Sequence, residues 1–275
     1  MKIANDKSLI IPNVLTIAGS DSGGGAGIQA DIKAMSANGV YAASVITAIT
    51  AQNTQGVHAI HDVPVAIIEA QIDAVLSDIE CAAVKIGMLS QAVVIELVAE
   101  KLKQYEVQTV VLDPVMVATS GDPLLQEAAI EVLKKQLIPL ATVITPNLYE
   151  AAILSGVTPA SNQAEMLQCA EKLMDLGSDA VLLKGGHLQD EQSSDLLVNA
   201  NGEMEWFSSP RIASSNTHGT GCTLSSALCA FLAQGEPLAR ATKLAKSYIQ
   251  STIKAADQLQ VGSGSGPVNH FPDRK

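Results

Sequence analysis

The sequence predicts an α/β fold: a mostly parallel central sheet, helices on both of its faces, and a β-hairpin at one edge. Three observations point there. Short apolar runs alternate with longer stretches of helical spacing, the mark of repeated β-α units. The runs are built from Ala, Val, Ile and Leu, and aromatics make up only 3% of the chain, which suits thin strands buried under helices. One pair, Asn201-Gly202 between two apolar runs, breaks the alternation and signals a hairpin.

Taken in order, VLTIAGS (14–20) reads as a buried strand. GAGIQADIKAMSANG (25–39) follows as a helix stopped by Gly39. ASVITAIT (43–50) is a second strand, and VAIIEAQIDAVLSDI (65–79) is a helix opening directly after Pro64. AAVKIGM (82–88) and TVVLDPV (109–115) are strands, each followed by a helix, at 92–105 and 124–137. ATVITPN (141–147) and AVLLKGG (180–186) are strands with helical sequence between them. The hairpin spans 195–209, and two helices, 220–234 and 237–256, close the fold. The Gly/Ser-rich tail from Val261 reads as a surface segment near the mouth of a site.

A chain of 275 residues holds one large α/β domain with ample core, and no repeat or linker divides 1–275. The net charge of −11, with no basic run, excludes a nucleic-acid partner. No segment reaches the ~20 apolar residues of a membrane span, and the opening MKIANDKSLIIPNVLTIAG lacks the layout of a signal peptide. The four cysteines, Cys81, Cys169, Cys222 and Cys229, form no CxxC pair and suit neither zinc nor a disulfide framework. A reducing, cytoplasmic setting is expected.

In open α/β sheets, ligands bind beyond the carboxyl ends of the strands. There lies HGTGC, a glycine-rich turn running into a helix. Its unpaired amides and the helix dipole suit an anion, and Gly219 and Gly221 let the backbone close around one. An ordinary helix start would look the same. Neither a Walker A loop nor a GxGxxG fingerprint occurs; Ile28 stands where the last glycine after Gly23 and Gly25 would fall. The turn has company, however. Asp113 ends one strand, and Asn147 and Glu150 open a helix three residues apart. Such carboxylates suit Mg2+, although Glu150 could equally be an acid answering the helix dipole. Lys184 ends another strand as a point charge for a phosphate, or simply as an exposed lysine. His218 lies beside the anion turn, either as a contact or as a plain loop histidine. An anion cradle, acids for magnesium and a lysine together point to phosphoryl transfer.

Seven blocks in unbroken order carry a resemblance. They are AGSDSGGGAGIQAD (18–31), VITAITAQNT (45–54), KIGML (85–89), LDPVMVATSGDPLL (112–125), ITPNLYEA (144–151), LLKGGH (182–187) and NTHGTGCTLSSA (216–227). Together they resemble the hydroxymethylpyrimidine/phosphomethylpyrimidine kinases of thiamine biosynthesis, in the ribokinase-like superfamily. The resemblance implies a three-layer α/β/α sandwich and an ATP- and Mg2+-dependent kinase. Such an enzyme phosphorylates 4-amino-5-hydroxymethyl-2-methylpyrimidine to the monophosphate and then to the diphosphate, and the resemblance also implies a homodimer; the edge hairpin at 195–209 is a candidate contact. It assigns Gln52 to the pyrimidine, and a carboxamide does match an aminopyrimidine edge in two hydrogen bonds. Gly19 and Ala26 map to small residues flanking the ring, and Met88 and Val115 to its apolar walls. Asn147, Lys184, Thr217, Gly219, Thr220 and Gly221 fall to ATP and its phosphates, with Asp113 and Glu150 left to the metal. Asp31 maps to an acid answering nearby amides. The family often has Asp-Pro-Ser-Gly-Gly where this chain has Asp21, Ser22, Gly23, Gly24 and Gly25, and the missing proline should loosen that lid.

Many ribokinase-like enzymes carry an aspartate base where this chain has Cys222. A helix N-terminus and a nearby lysine are expected to lower the thiol's pKa, so that a thiolate accepts the substrate proton. Alternatively, Cys222 is a small residue that merely fits. A thiol that is neutral when the monophosphate arrives would permit both phosphorylations in one site, where a fixed carboxylate would repel that anion. Two other functions fit the same residues: a pyridoxine or pyridoxal kinase, and a non-catalytic nucleotide-sensing protein.

Overall fold

The computed structural model describes residues 10–116, 125, 127–186, 188 and 191–272. Residues 117–124 of the resemblance, the expected helix start at Leu124, and His187 lie outside them. The strands are β1 (Asn13–Asp21), β2 (Tyr41–Asn53), β3 (Gly56–Asp62), β4 (Cys81–Ile86), β5 (Val110–Leu112), β6 (Val143–Ile144), β7 (Ala180–Leu183), β8 (Gln192–Asn199) and β9 (Met204–Pro210). The helices are α1 (Gly27–Ala37), α2 (Val65–Leu76), α3 (Ala92–Gln104), α4 (Glu127–Val132), α5 (Leu148–Ser155), α6 (Gln163–Met174), α7 (Thr220–Ala233) and α8 (Leu238–Lys254).

One nine-stranded sheet runs in the order β3-β2-β1-β4-β5-β6-β7-β8-β9. From β2 to β7 the neighbours are parallel, and β3, β8 and β9 are antiparallel additions at the two edges. Alternation along each strand feeds two cores. Leu15, Ile17, Val84 and Ile86 pack with Ile72 and Ile95 of α2 and α3. Val14, Ala83, Val111 and Leu182 pack on the other face with Met35, Leu228 and Ala245 of α1, α7 and α8. The result is the expected three-layer sandwich with its edge hairpin. Because β2 and β4 flank β1 on opposite sides, the chain reverses direction across the sheet there. That leaves a crevice beyond the carboxyl ends of β1 and β4.

Several elements differ from the sequence reading. The strand expected to end at Thr50 instead forms a second hairpin: β2 runs on to Asn53, slips register between Ala51 and Gln52, and returns as β3. The Asn53 side chain accepts the Gln55 N–H at 2.8 Å, closing a tight turn that no Asn-Gly pair announces. The helix expected to Leu137 stops at Val132 and relaxes into a wider π-type turn over Leu133–Leu137, ahead of Pro139. The tail is only partly a surface segment: Gly266, Pro267, Val268 and His270 are buried. It docks through Ser265 N–H to Thr54 O at 2.9 Å and through His218 N–H to Gly266 O at 3.1 Å.

Candidate active site

A cavity of about 1110 Å3 opens at the crevice. It collects every residue singled out from the sequence as binding or catalytic. Gly19, Ala26, Gln52, Met88 and Val115 line one end, while Asp113, Asn147, Glu150 and Lys184 join Thr217, Gly219, Thr220, Gly221 and Cys222 around the middle.

Strand ends place the charged groups. Lys184 follows β7, and its backbone N–H bonds Pro146 O at 2.9 Å, which locks the ends of β6 and β7 together. Its Nζ donates to Asp113 Oδ1 at 2.9 Å, and Thr145 Oγ1 donates to the same oxygen at 3.0 Å. Burial works against the charge on Asp113, but Lys184 and Lys85 outweigh it and hold the carboxyl below its ordinary pKa. Asn147 and Glu150 form a reciprocal capping box at the start of α5. The Asn147 side chain accepts from the N–H groups of Tyr149 and Glu150, and Glu150 Oε2 accepts the Asn147 N–H at 2.7 Å. Glu150 is buried, which pushes its pKa up to about 7; the Asp113 charge adds to this and Lys184 opposes it.

The HGTGC turn meets that pair. A Cβ on Gly221 would lie 3.2 Å from Lys184 Nζ and 3.6 Å from Asp113 Oδ2, so the bare backbone of α7 sits directly against the charges. Gly219 has φ +79°, and a side chain there would run into Gly25 O. Glycine is thus needed twice in three residues, once for conformation and once for approach. Cys222, in the first turn of α7, receives the Gly27 N–H at its sulfur. Two helix N-termini therefore converge on the thiol. The expectation of a lowered pKa does not hold: burial pushes the thiol up to about 11, and Lys85 opposes this only in part. Cys222 faces the cavity and stays partly exposed, and the protein packed around it still disfavours the thiolate.

At the other end, Gln52 sits on the slipped part of β2. Ser22 Oγ donates to Gln52 O and accepts Gln52 N–H, both at 2.8 Å, so the glycine loop is tied to the backbone that carries the carboxamide. A Cβ on Gly19 would stand 2.7 Å from Met88 Cε, and the bare glycine keeps that wall flat. The loop is not loose despite its missing proline. Asp21 accepts the N–H groups of Gly23, Gly25 and Ala26 at 2.8–3.0 Å, and Lys33 Nζ donates to Gly24 O at 2.7 Å.

Three features were missed or left open by the sequence reading. His218 contacts Asp21 Oδ2 at 3.0 Å and lies 3.4 Å from Gln52 Nε2, so it is more than a plain loop residue. Lys246 pairs with Asp195 at 2.6 Å in the cavity wall, and Asp195 also takes the Gly185 N–H at 2.9 Å. Lys85 lies in the cavity floor, paired with Asp31 at 2.8 Å. Asp31 therefore answers an ammonium and two hydroxyls rather than amides. The lone signal in the sequence was a lysine inside an otherwise apolar strand.

The profile of one sequence family, phosphomethylpyrimidine kinase, matches residues 21–269. The chain belongs to the phosphomethylpyrimidine kinase family. A hydroxymethylpyrimidine/phosphomethylpyrimidine kinase of Rhizobium meliloti is 54% identical over 257 residues, covering 94% of this chain and 96% of that one. A crystal structure of a phosphomethylpyrimidine kinase from Clostridium difficile superposes with TM-score 0.78 at 47% identity, over 88% of this chain and 99% of that one. A Bacillus subtilis pyridoxal kinase, solved as an ADP complex, superposes with TM-score 0.87 at 37% identity, over 95% and 98%. The fold is thus shared with proteins named as phosphomethylpyrimidine kinase and as pyridoxal kinase. Among the described residues no helix is long and apolar enough to cross a membrane.

Proposed function

We propose that this chain transfers a phosphoryl group from ATP to the hydroxymethyl oxygen of 4-amino-5-hydroxymethyl-2-methylpyrimidine, and a second to the resulting monophosphate, as one ribokinase-like unit. One observation carries the reading. The carboxamide, small and apolar residues suited to the ring share a cavity with a backbone anion cradle set against a Lys–Asp pair. The ADP complex of the Bacillus subtilis kinase supports nucleotide use by this fold.

The chemistry follows from position. Gln52, held through Ser22, pairs with the aminopyrimidine edge and points the hydroxymethyl group toward Cys222. The amides from Gly219 to Cys222 and the Lys184 ammonium take up the negative charge spread over the transferring group. That transition state asks little of the nucleophile, so the proton of the alcohol leaves late, to a phosphoryl oxygen. Cys222, protonated at rest, orients the acceptor oxygen without offering it a negative charge. The site also fits magnesium. Asp113 and Glu150 are oxygen donors converging on one lysine, which leaves an excess of one negative charge when both are ionised. They would hold the ion, largely through its waters, and it would supply charge neutralisation between the phosphates.

The same reading makes the protein a cytoplasmic homodimer with no nucleic-acid or membrane partner. Met204 and Trp206, 47% and 37% exposed on the outer hairpin, support that hairpin as the contact. Light scattering on the eluted protein gives the assembly mass. The decisive assay measures ADP release with Mg2+, ATP and either the pyrimidine alcohol or pyridoxal, and mass spectrometry of the product. A pyrimidine diphosphate is expected. Turnover of pyridoxal alone would favour the pyridoxal kinase reading, and nucleotide binding without ADP release would favour a sensor.

A further inference from the structure

Lys85 and Asp31 form a charge pair that the transfer geometry above leaves unused. Both side chains are fully closed to solvent. Lys85 Nζ donates to both Asp31 oxygens at 2.8 Å. Thr16 Oγ1 donates to Oδ2 at 2.6 Å and Ser226 Oγ to Oδ1 at 2.7 Å. A buried pair satisfied this fully ties β1, β4, α1 and α7 together, and that alone could explain it.

The two ends of the pair are not equivalent, however. Lys85 is part of the cavity floor, and Asp31 lies behind it, outside the lining. Gly87 follows two residues on, just past the end of β4, and a Cβ there would stand 2.8 Å from Nζ and 3.1 Å from Ala18 Cβ. The glycine of the KIGM segment thus leaves room for the ammonium. The pair is a dipole with its positive end toward the cavity. Of the other two ammonium groups lining the cavity, Lys184 is bonded to Asp113 and Lys246 to Asp195.

The two acceptors differ in one respect that such a dipole reads. The alcohol is neutral, whereas a phosphate monoester carries about −1.5 to −2 charges near neutral pH. We propose that Lys85, anchored by Asp31 and given space by Gly87, is the residue that admits the monophosphate as second acceptor while contributing little to the alcohol step. The inference rests on the two-acceptor reading above.

The test supplies each pyrimidine as sole acceptor and follows initial ADP release. The charge-neutral double variant Asp31→Asn/Lys85→Met is expected to lower kcat/KM for the monophosphate at least about tenfold more than for the alcohol, the scale of a lost charged hydrogen bond. Gly87→Ala keeps both charges but crowds the ammonium, and is expected to skew the ratio the same way. It decides the matter if circular dichroism finds the double variant unfolded. A purely structural pair would cut both acceptors alike, and equal losses overturn the proposal. Failure of the underlying reading is seen earlier and separately: the unsubstituted protein would then release no ADP with either pyrimidine, and the inference would fall with it.

Discussion

Cys222 shows how one residue's chemistry is set by what surrounds it. From spelling alone it is a thiol at a helix N-terminus beside a lysine, a setting that lowers pKa. In the fold, burial outweighs both influences and the thiol rises to about 11. Iodoacetamide should therefore label Cys222 slowly at pH 8, with a rate that climbs only toward pH 11, as read by peptide mass spectrometry. The absence of a standing negative charge also makes a prediction for substitution. Cys222→Asp should retain the first phosphorylation better than the second by about tenfold, because a carboxylate repels the incoming monoester. Asp21 offers a pH signature of stability. Burial would raise its pKa, but His218 and the amides of Ala26 and Gly23 together lower it. A depressed folded pKa contributes stability that is complete above the unfolded value near 4 and is lost as pH falls through the folded one. The urea midpoint of the unsubstituted protein should exceed that of Asp21→Asn at about pH 5, and the gap should close as pH falls below about 4.

Helix starts do much of the work at the next scale. The α5 start is built by Asn147 and Glu150 capping each other, and the same two residues face the cavity. The capping box was visible as a spacing of three, but which of its two uses would win was not, and the geometry permits both. Asn147→Ala should cost about 1 kcal/mol in chemical denaturation, as lost caps do, and should also raise KM for ATP. The α7 start has no side-chain cap at all and depends on Gly219 at φ +79°. Gly219→Ala should destabilise by roughly 1–3 kcal/mol and abolish turnover, since the added carbon must push the turn off Gly25. The second hairpin, β2–β3, shows where periodicity fails. Its register slip at Gln52 and its turn at Asn53–Gly56 follow from side-chain hydrogen bonds that apolar spacing does not register.

Across the whole molecule, the cavity is assembled from loops far apart in sequence. The β1 loop holds Gln52 through Ser22, His218 reaches back to Asp21, and the tail closes over both by bonding Thr54 and His218. A chain ending at Val261 loses those bonds and the buried Val268. It should bind the pyrimidine more weakly while keeping nucleotide affinity near its original value, which calorimetry with each ligand alone would measure.

Most of the chain order of strands and helices, the 195–209 hairpin, the glycine turn and the strand-end groups Asp113, Asn147, Glu150 and Lys184 were written in local pattern, while Gly19, Ala26, Gln52, Met88 and Val115 entered through the family resemblance. Alternation, glycine placement and strand-end polarity are short-range properties, and they survive folding unchanged. Tertiary structure alone decided the state of each charged group. Which lysine meets which carboxylate, whether a thiol keeps its water, and whether Asp31 answers amides or an ammonium depend on partners dozens to nearly two hundred residues away. Burial and Coulomb energies belong to a place in three dimensions, and spacing along the chain does not report that place.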